Sequence, residues 1–175
     1  MAGPVTMPAS LAHEPLPSMR VRTAGRRDLD ALMTLEHRVF ATDRLSRRSL
    51  RRFLQSPSAA LIVAEAERDL AGTAIVLFRP RSALARLYSI AVAPHFTGRG
   101  VGALLLGAAE EIACRHRCSA IRLEVHHTNH AAISRYRKSG YQEFDRRAAY
   151  YEDGGDALRF EKRLVADRSG QPPGR

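Results

Sequence analysis

Apolar positions along this chain follow two rhythms, and the switches between them mark its elements. Residues 20–24 fit a short first strand. Residues 28–40 then place Leu29, Leu32, Met33, Leu35, Val39 and Phe40 at helical spacing, which predicts an amphipathic helix. The rhythm recurs over residues 47–54. There Leu50, Phe53 and Leu54 share one face, Arg47, Arg48, Arg51 and Arg52 cover the other, and Ser46 stands as a candidate N-cap. Residues 59–64 and 73–78 are β-branched runs that predict an antiparallel hairpin turning near 68–72. A fourth strand follows over 84–92. An apolar helix without proline runs from 103 and ends near His116, and residues 120–125 form a fifth strand. A helix between two strands makes them parallel neighbours. Residues 129–139 read as a short helix closed by Gly140. Residues 141–151 and 157–165 read as two final strands around the turn E-D-G-G-D.

Composition trims this picture at its ends. Residues 1–18 carry Pro4, Pro8, Pro15 and Pro17 without periodicity and read as a disordered leader, and residues 166–175 as a flexible tail. The 19–165 stretch is expected to form one domain, without repeats and large enough for a real core. A net charge of +10, almost all arginine, suits nucleic acid or a phosphorylated ligand. The arginines are spread along the chain, however, and no helix-turn-helix, RNA-motif or zinc-finger signature accompanies them, so a solvated surface is favoured over a nucleic-acid partner. Two cysteines make no disulfide framework and fit a reducing compartment. The N-terminus lacks a signal-peptide pattern and no run reaches membrane-spanning length, so a cytoplasmic protein is expected.

Candidate chemistry gathers between the fourth and fifth strands. Pro94 ends the fourth strand, and Gly98-Arg99-Gly100-Val101-Gly102 leads into the apolar helix. Such a turn offers free amides and the positive end of the helix dipole to an anion, and Arg99 adds a charge. The spacing is neither the dinucleotide fingerprint nor a Walker loop. It also suits a plain tight turn. Glu124 lies between Leu123 and Val125 and points with Arg122 and His126. It suits a general base, and equally a carboxylate paired with Arg122 or Arg86. Tyr136 reads as a core aromatic from its spacing to Ile133, and Asn129 as a helix cap. Cys114-x-His116-x-Cys118 and the trio His126, His127 and His130 hold metal donors, but neither has the paired spacing of a structural site, so no metal is expected.

S-I-A-V-A-P followed by G-R-G-V-G-A-L-L-L resembles motif A of the GNAT superfamily of acetyl-CoA-dependent N-acetyltransferases. L-E-V-H-H-T-N-H-A-A-I-S-R-Y-R-K-S-G-Y resembles that family's motif B. The likeness runs from Met19 to Val165 and is densest from Leu87 to Tyr141. It implies the GNAT fold, an α/β (α+β) architecture with a mixed central sheet of about six to seven strands and helices on both faces. By the same resemblance, acetyl-CoA meets Ile90, Ala91 and Val92 along the fourth strand, Thr97, Gly98, Arg99, Gly100, Val101, Gly102 and Ala103 around the turn, and Asn129. Where the family's motif A opens with Gln or Arg, this chain has Thr97, which offers a hydroxyl but no charge. Glu124 matches the general base, and Tyr136 the acid toward the departing thiolate, of ribosomal-protein alanine N-acetyltransferases. The implied partner is an amine acceptor, a protein N-terminus foremost, with a small-molecule amine or a non-catalytic acetyl-CoA-binding module as alternatives. The implied assembly is a monomer or homodimer.

Overall fold

The computed structural model describes residues 18–41, 44–66 and 69–165. The expectations for 1–17 and for the 166–175 tail lie outside the described residues. Seven strands form one sheet: β1 (Met19–Thr23), β2 (Ala59–Ala66), β3 (Asp69–Phe78), β4 (Leu84–Val92), β5 (Ala120–His126), β6 (Gln142–Arg147) and β7 (Ala157–Arg163), in the order β1-β2-β3-β4-β5-β7-β6. Four helices accompany them: α1 (Leu29–Val39), α2 (Arg47–Gln55), α3 (Val101–Arg115) and α4 (His130–Lys138). The mixed sheet, the parallel β4–β5 pair and helices on both faces agree with the sequence reading.

Strand alternation divides the core in two. On one face Leu61, Val63 and Ile75 meet Leu29, Leu32 and Leu50 of α1 and α2. On the other, Ile62, Ala64, Ala74 and Val76 meet Val101, Leu105, Leu106 and Ala109 of α3. Asp28 opens α1 as a buried carboxylate. Arg22 donates both terminal nitrogens to it at 2.8 Å, and the Gly25 amide donates at 2.7 Å. These contacts hold its carboxyl down at about 2, with the Arg22 hydrogen bonds as the main cause. Ser46 caps α2 as expected, accepting from the Ser49 amide at 3.1 Å.

Two expectations are corrected. Gly72 is not in the turn: β3 begins at Asp69, and Gly72 pairs with Ala64 and Val92 inside the sheet. The reason is room. A Cβ at Gly72 would stand 2.6 Å from the Ala91 carbonyl oxygen and 2.9 Å from Leu105 Cδ1, so this glycine lets α3 settle onto the sheet. The strand expected over 141–151 stops at Arg147. Asp156 Oδ1 there accepts from the Ala149 amide at 3.0 Å, and Ala149 turns to φ 49°, which takes Tyr150 and Tyr151 out of the strand and into the connection to β7.

One local feature prepares the site. The β4–β5 ladder consists of Leu84, Ala85 and Arg86 opposite Ala120, Ile121 and Arg122, and then stops. On its other edge β4 skips Tyr88 in its register with β3. Such a bulge bends a strand, and here β4 and β5 part beyond Arg86.

Candidate active site

The glycine turn sits where β4 and β5 part. Gly98 and Gly100 have φ of 81° and 83°, a left-handed backbone that disfavours side chains. A Cβ at either would meet nothing within 4 Å, so the turn faces open space. No backbone acceptor among the described residues takes the amides of Gly100, Val101 and Gly102. Three donors without a backbone partner and the positive end of a fifteen-residue helix therefore gather at the turn.

Across from the turn, α4 closes a cavity of about 200 Å³. Its lining includes Ile90, Val92, Thr97, Gly98, Gly100, Val101 and Gly102 from the motif, and Ala131, Ala132, Arg135 and Tyr136 from α4. Asn129 sits at the head of α4 as its cap, with Oδ1 accepting from the Ala132 amide at 3.1 Å. Its position there comes from the local cap, and it is not part of the lining. Ala91 is buried in the core below. Arg99 and Ala103 face away, into a separate groove of about 800 Å³ beside β1. The guanidinium of Arg99 lies 5.7 Å from the Phe96 ring centroid.

Sequence reasoning missed Arg135. It crosses the start of α3 so closely that a Cβ on Gly102 would stand 3.1 Å from its Nε. It forms no ion pair with the described residues, so its charge is directed at the helix start, where Thr97 brings none. The signal was available: Ala131, Ala132, Arg135 and Tyr136 recur at one-helical-face spacing. The fit to a phosphorylated ligand is thus good: unpaired amides, glycine backbone in open space and, in Arg135, a guanidinium without an ion pair among the described residues.

Tyr136 combines both readings offered for it. Its ring packs in the core, 5.8 Å from that of Tyr141 and 6.2 Å from that of Phe160, and it also lines the cavity. Burial pushes its hydroxyl up to about 12, only partly offset by the Arg135 charge. At neutral pH it therefore holds its proton, as a donor must.

Glu124 stands elsewhere. It is on β5, two residues past the last ladder pair, and does not line the cavity. Its carboxylate is largely buried, at 13% side-chain exposure, and ion-paired. Arg86 Nε donates to Oε2 at 3.0 Å, and Arg159 Nε lies 3.6 Å from Oε1. Of the two partners expected for it, Arg86 pairs with Glu124, and Arg122 pairs with Glu161. The second terminal nitrogen of Arg86 also meets the Tyr150 hydroxyl at 3.0 Å. Asp153 and Asp156 are engaged in their own connection: Asp153 accepts from Gly155 and faces His126, and Asp156 accepts from Ala149 and pairs with Arg146.

Among the described residues no three metal-binding side chains converge, and no helix is long and apolar enough to cross a membrane. The model of the Acetyltransferase (GNAT) family matches residues 27–141. A Bacillus subtilis (strain 168) protein, named provisionally as a ribosomal protein bS18-alanine N-acetyltransferase, is 30% identical over 139 residues, 79% of this chain and 91% of its own length. The ribosomal-protein-S18-alanine N-acetyltransferase from Escherichia coli has the same fold, with a TM-score of 0.77 at 24% identity over 89% of this chain and 99% of that one. Nourseothricin acetyltransferase superposes with a TM-score of 0.70 at 26% identity, over 84% of this chain and 99% of its own.

Proposed function

This chain belongs to the Acetyltransferase (GNAT) family, and from that premise we propose that it moves the acetyl group of acetyl-CoA directly to the α-amine of a protein or peptide N-terminus. Acetyl-CoA supplies the activated thioester. The amides of Gly100, Val101 and Gly102, with Arg135, hold its pyrophosphate, and the free edge of β4 at Ile90 and Val92 bonds its amide-bearing arm as an added strand would. Glu124 takes the proton of the incoming ammonium, and Tyr136 gives its hydroxyl proton to the departing sulfur. No acyl-enzyme nucleophile is needed, and Cys114 and Cys118 stand outside the scheme.

One observation carries the reading: Tyr136 and the glycine turn share one cavity, while Glu124 stands on β5 just past the point where the two strands part. Two substrates can then meet in the gap from opposite sides of the sheet. The α-amine acceptor is supported by the Bacillus subtilis relative, matched over nearly its whole length. Proton affinity supports it too. An α-amine has a pKa of about 8 against about 10.4 for a lysine side chain, so far more of it is unprotonated near neutral pH. One ion-paired glutamate can serve the former more readily.

Acetyl-CoA and short peptides with a free N-terminal alanine should give rapid thiol release, with the acetyl group mapped to the α-amine by mass spectrometry. The same peptides blocked at that end but carrying lysine should react slowly. Rapid acetylation of a small amine such as an aminoglycoside, with no peptide turnover, would move the acceptor to the small-molecule class.

A further inference from the structure

His126 ends β5 on the face that carries Glu124, and both its ring nitrogens are occupied. Nε2 lies 3.0 and 3.3 Å from the two carboxylate oxygens of Asp153. Nδ1 lies 3.2 Å from the Thr128 amide and 2.8 Å from the Thr128 hydroxyl. An amide can only donate, so Nδ1 accepts and the ring proton sits on Nε2, facing Asp153. Next to it, His127 Nδ1 accepts from the Asp156 amide at 3.1 Å, and the His127 amide donates to the Asp156 carbonyl at 3.0 Å.

Gly155 shows how closely the β6–β7 connection rests on this ring. A Cβ there would stand 2.7 Å from His126 Cε1, nearer still to Nε2, and 2.9 Å from Asp153 Oδ1. Its backbone is not left-handed, so space alone excludes a side chain. The Gly155 carbonyl accepts the amides of Tyr150 at 2.9 Å and Tyr151 at 3.1 Å. The Tyr150 hydroxyl holds Arg86, and Arg86 holds Glu124. The contacts close a circuit from the end of β5, through the 148–156 connection and β4, back to β5.

We propose that His126 is a positioning residue for the acceptor side of the reaction. Its imidazole latches the 148–156 connection onto β5 and so fixes Tyr150, Arg86 and, through them, the Glu124 carboxylate. The proposal rests on the reading that Glu124 serves the acceptor amine. The groups facing the ring are Asp153 and Tyr151 from the connection, Thr128 and His127 from the loop after β5, and Glu124 two residues back on the same strand.

The test uses the full chain, acetyl-CoA and a peptide with a free N-terminal alanine. His126→Ala should lower kcat/KM for the peptide, chiefly through kcat, by about tenfold to a hundredfold, the usual cost of loosening a positioned group, and leave the KM for acetyl-CoA unchanged. His126→Gln keeps an N–H for Asp153 and should restore most of the loss. Gly155→Ala should be as harmful as His126→Ala in the wild-type chain, yet cost much less when added to His126→Ala, because the ring its methyl meets is gone and the Asp153 carboxylate, released from that ring, can swing clear. Amide hydrogen exchange at Tyr150 and Tyr151 supplies a readout independent of turnover, and should quicken about tenfold or more in His126→Ala. Unchanged exchange there would overturn the latch. Faster exchange with an unchanged kcat/KM for the peptide would overturn the positioning role. Failure of the acceptor reading looks different: the wild-type chain would leave every peptide unmodified.

Discussion

The two flanks of the gap between β4 and β5 are made of different material. On the α3–α4 flank the working parts are mostly backbone: amides at a helix start, two glycines in a left-handed turn, the free edge of β4. Side chains there are small or apolar, with Arg135 and Tyr136 the chief polar additions. On the β5–β7–β6 flank the working parts are side chains in ion pairs that bridge strands: Arg86 with Glu124, Arg159 with Glu124 and Asp145, Arg122 with Glu161. A binding surface made of backbone changes little when residues are exchanged, which suits a substrate shared by a whole family. One made of side chains changes with every substitution, which suits the partner that differs from one member to the next.

The largest expected effects fall on catalysis, where the flanks must cooperate. Glu124→Gln and Tyr136→Phe should each lower turnover by roughly 10²–10⁴ with acetyl-CoA affinity nearly unchanged. For Glu124→Gln the loss should shrink as pH rises, because the amine then sheds its proton unaided. Wild-type turnover in either variant at neutral pH removes that residue from the chemistry. Next in size is Gly100→Glu, which forces a side chain onto a left-handed backbone and aims a carboxylate at the anion site. Open space around Gly100 spares the fold. Acetyl-CoA affinity should fall by about a hundredfold in calorimetric titration; an equal fall in peptide affinity would show that the flanks are not separable.

Asp28 lies outside both flanks and serves as the control. Its carboxyl is held at about 2 against an ordinary value of 3.8, so its contribution of about 2 kcal/mol is present above pH 4 and is lost as pH falls toward 2. Asp28→Asn should lower stability by about that amount in chemical denaturation, flatten the acid limb of the stability profile, and leave both substrates' constants alone. The smallest effect is expected from Arg135→Ala: a fivefold to tenfold weaker hold on acetyl-CoA and a weaker dependence of that hold on salt. No change would leave Thr97 and the amides as the whole of the anion site.

The same contrast explains what could be read from residues in order. Strand β4, the left-handed turn, the Asn129 and Ser46 caps and the closing Gly140 all express backbone preferences over a few neighbouring residues, and each stands where its local pattern put it. Gly72 misled because glycine marks turns and close approaches alike, and what crowds it is α3, some thirty residues on. Tyr150 and Tyr151 misled because their aromatic character favours a strand, while an aspartate beyond the turn bends the chain at Ala149. Glu124 was visible as an acid in an apolar strand. Of its partners, Arg86 was foreseen only as one of two candidates, and Arg159 not at all, since pairing across strands is decided by register. Gly155 reads as one more turn glycine until His126 is seen against it.

Past Arg86 one edge of β4 has no strand to bond to among the described residues. On the proposed reading acetyl-CoA supplies the missing rungs, which makes a metabolite part of the sheet. The melting temperature of this protein then reports the supply of that metabolite. At a hundredfold excess over its Kd the folded state gains about 2.7 kcal/mol, and without it that gain is absent. A cell short of acetyl-CoA would hold not merely an idle enzyme but a softer one, whose chain opens more often to proteases.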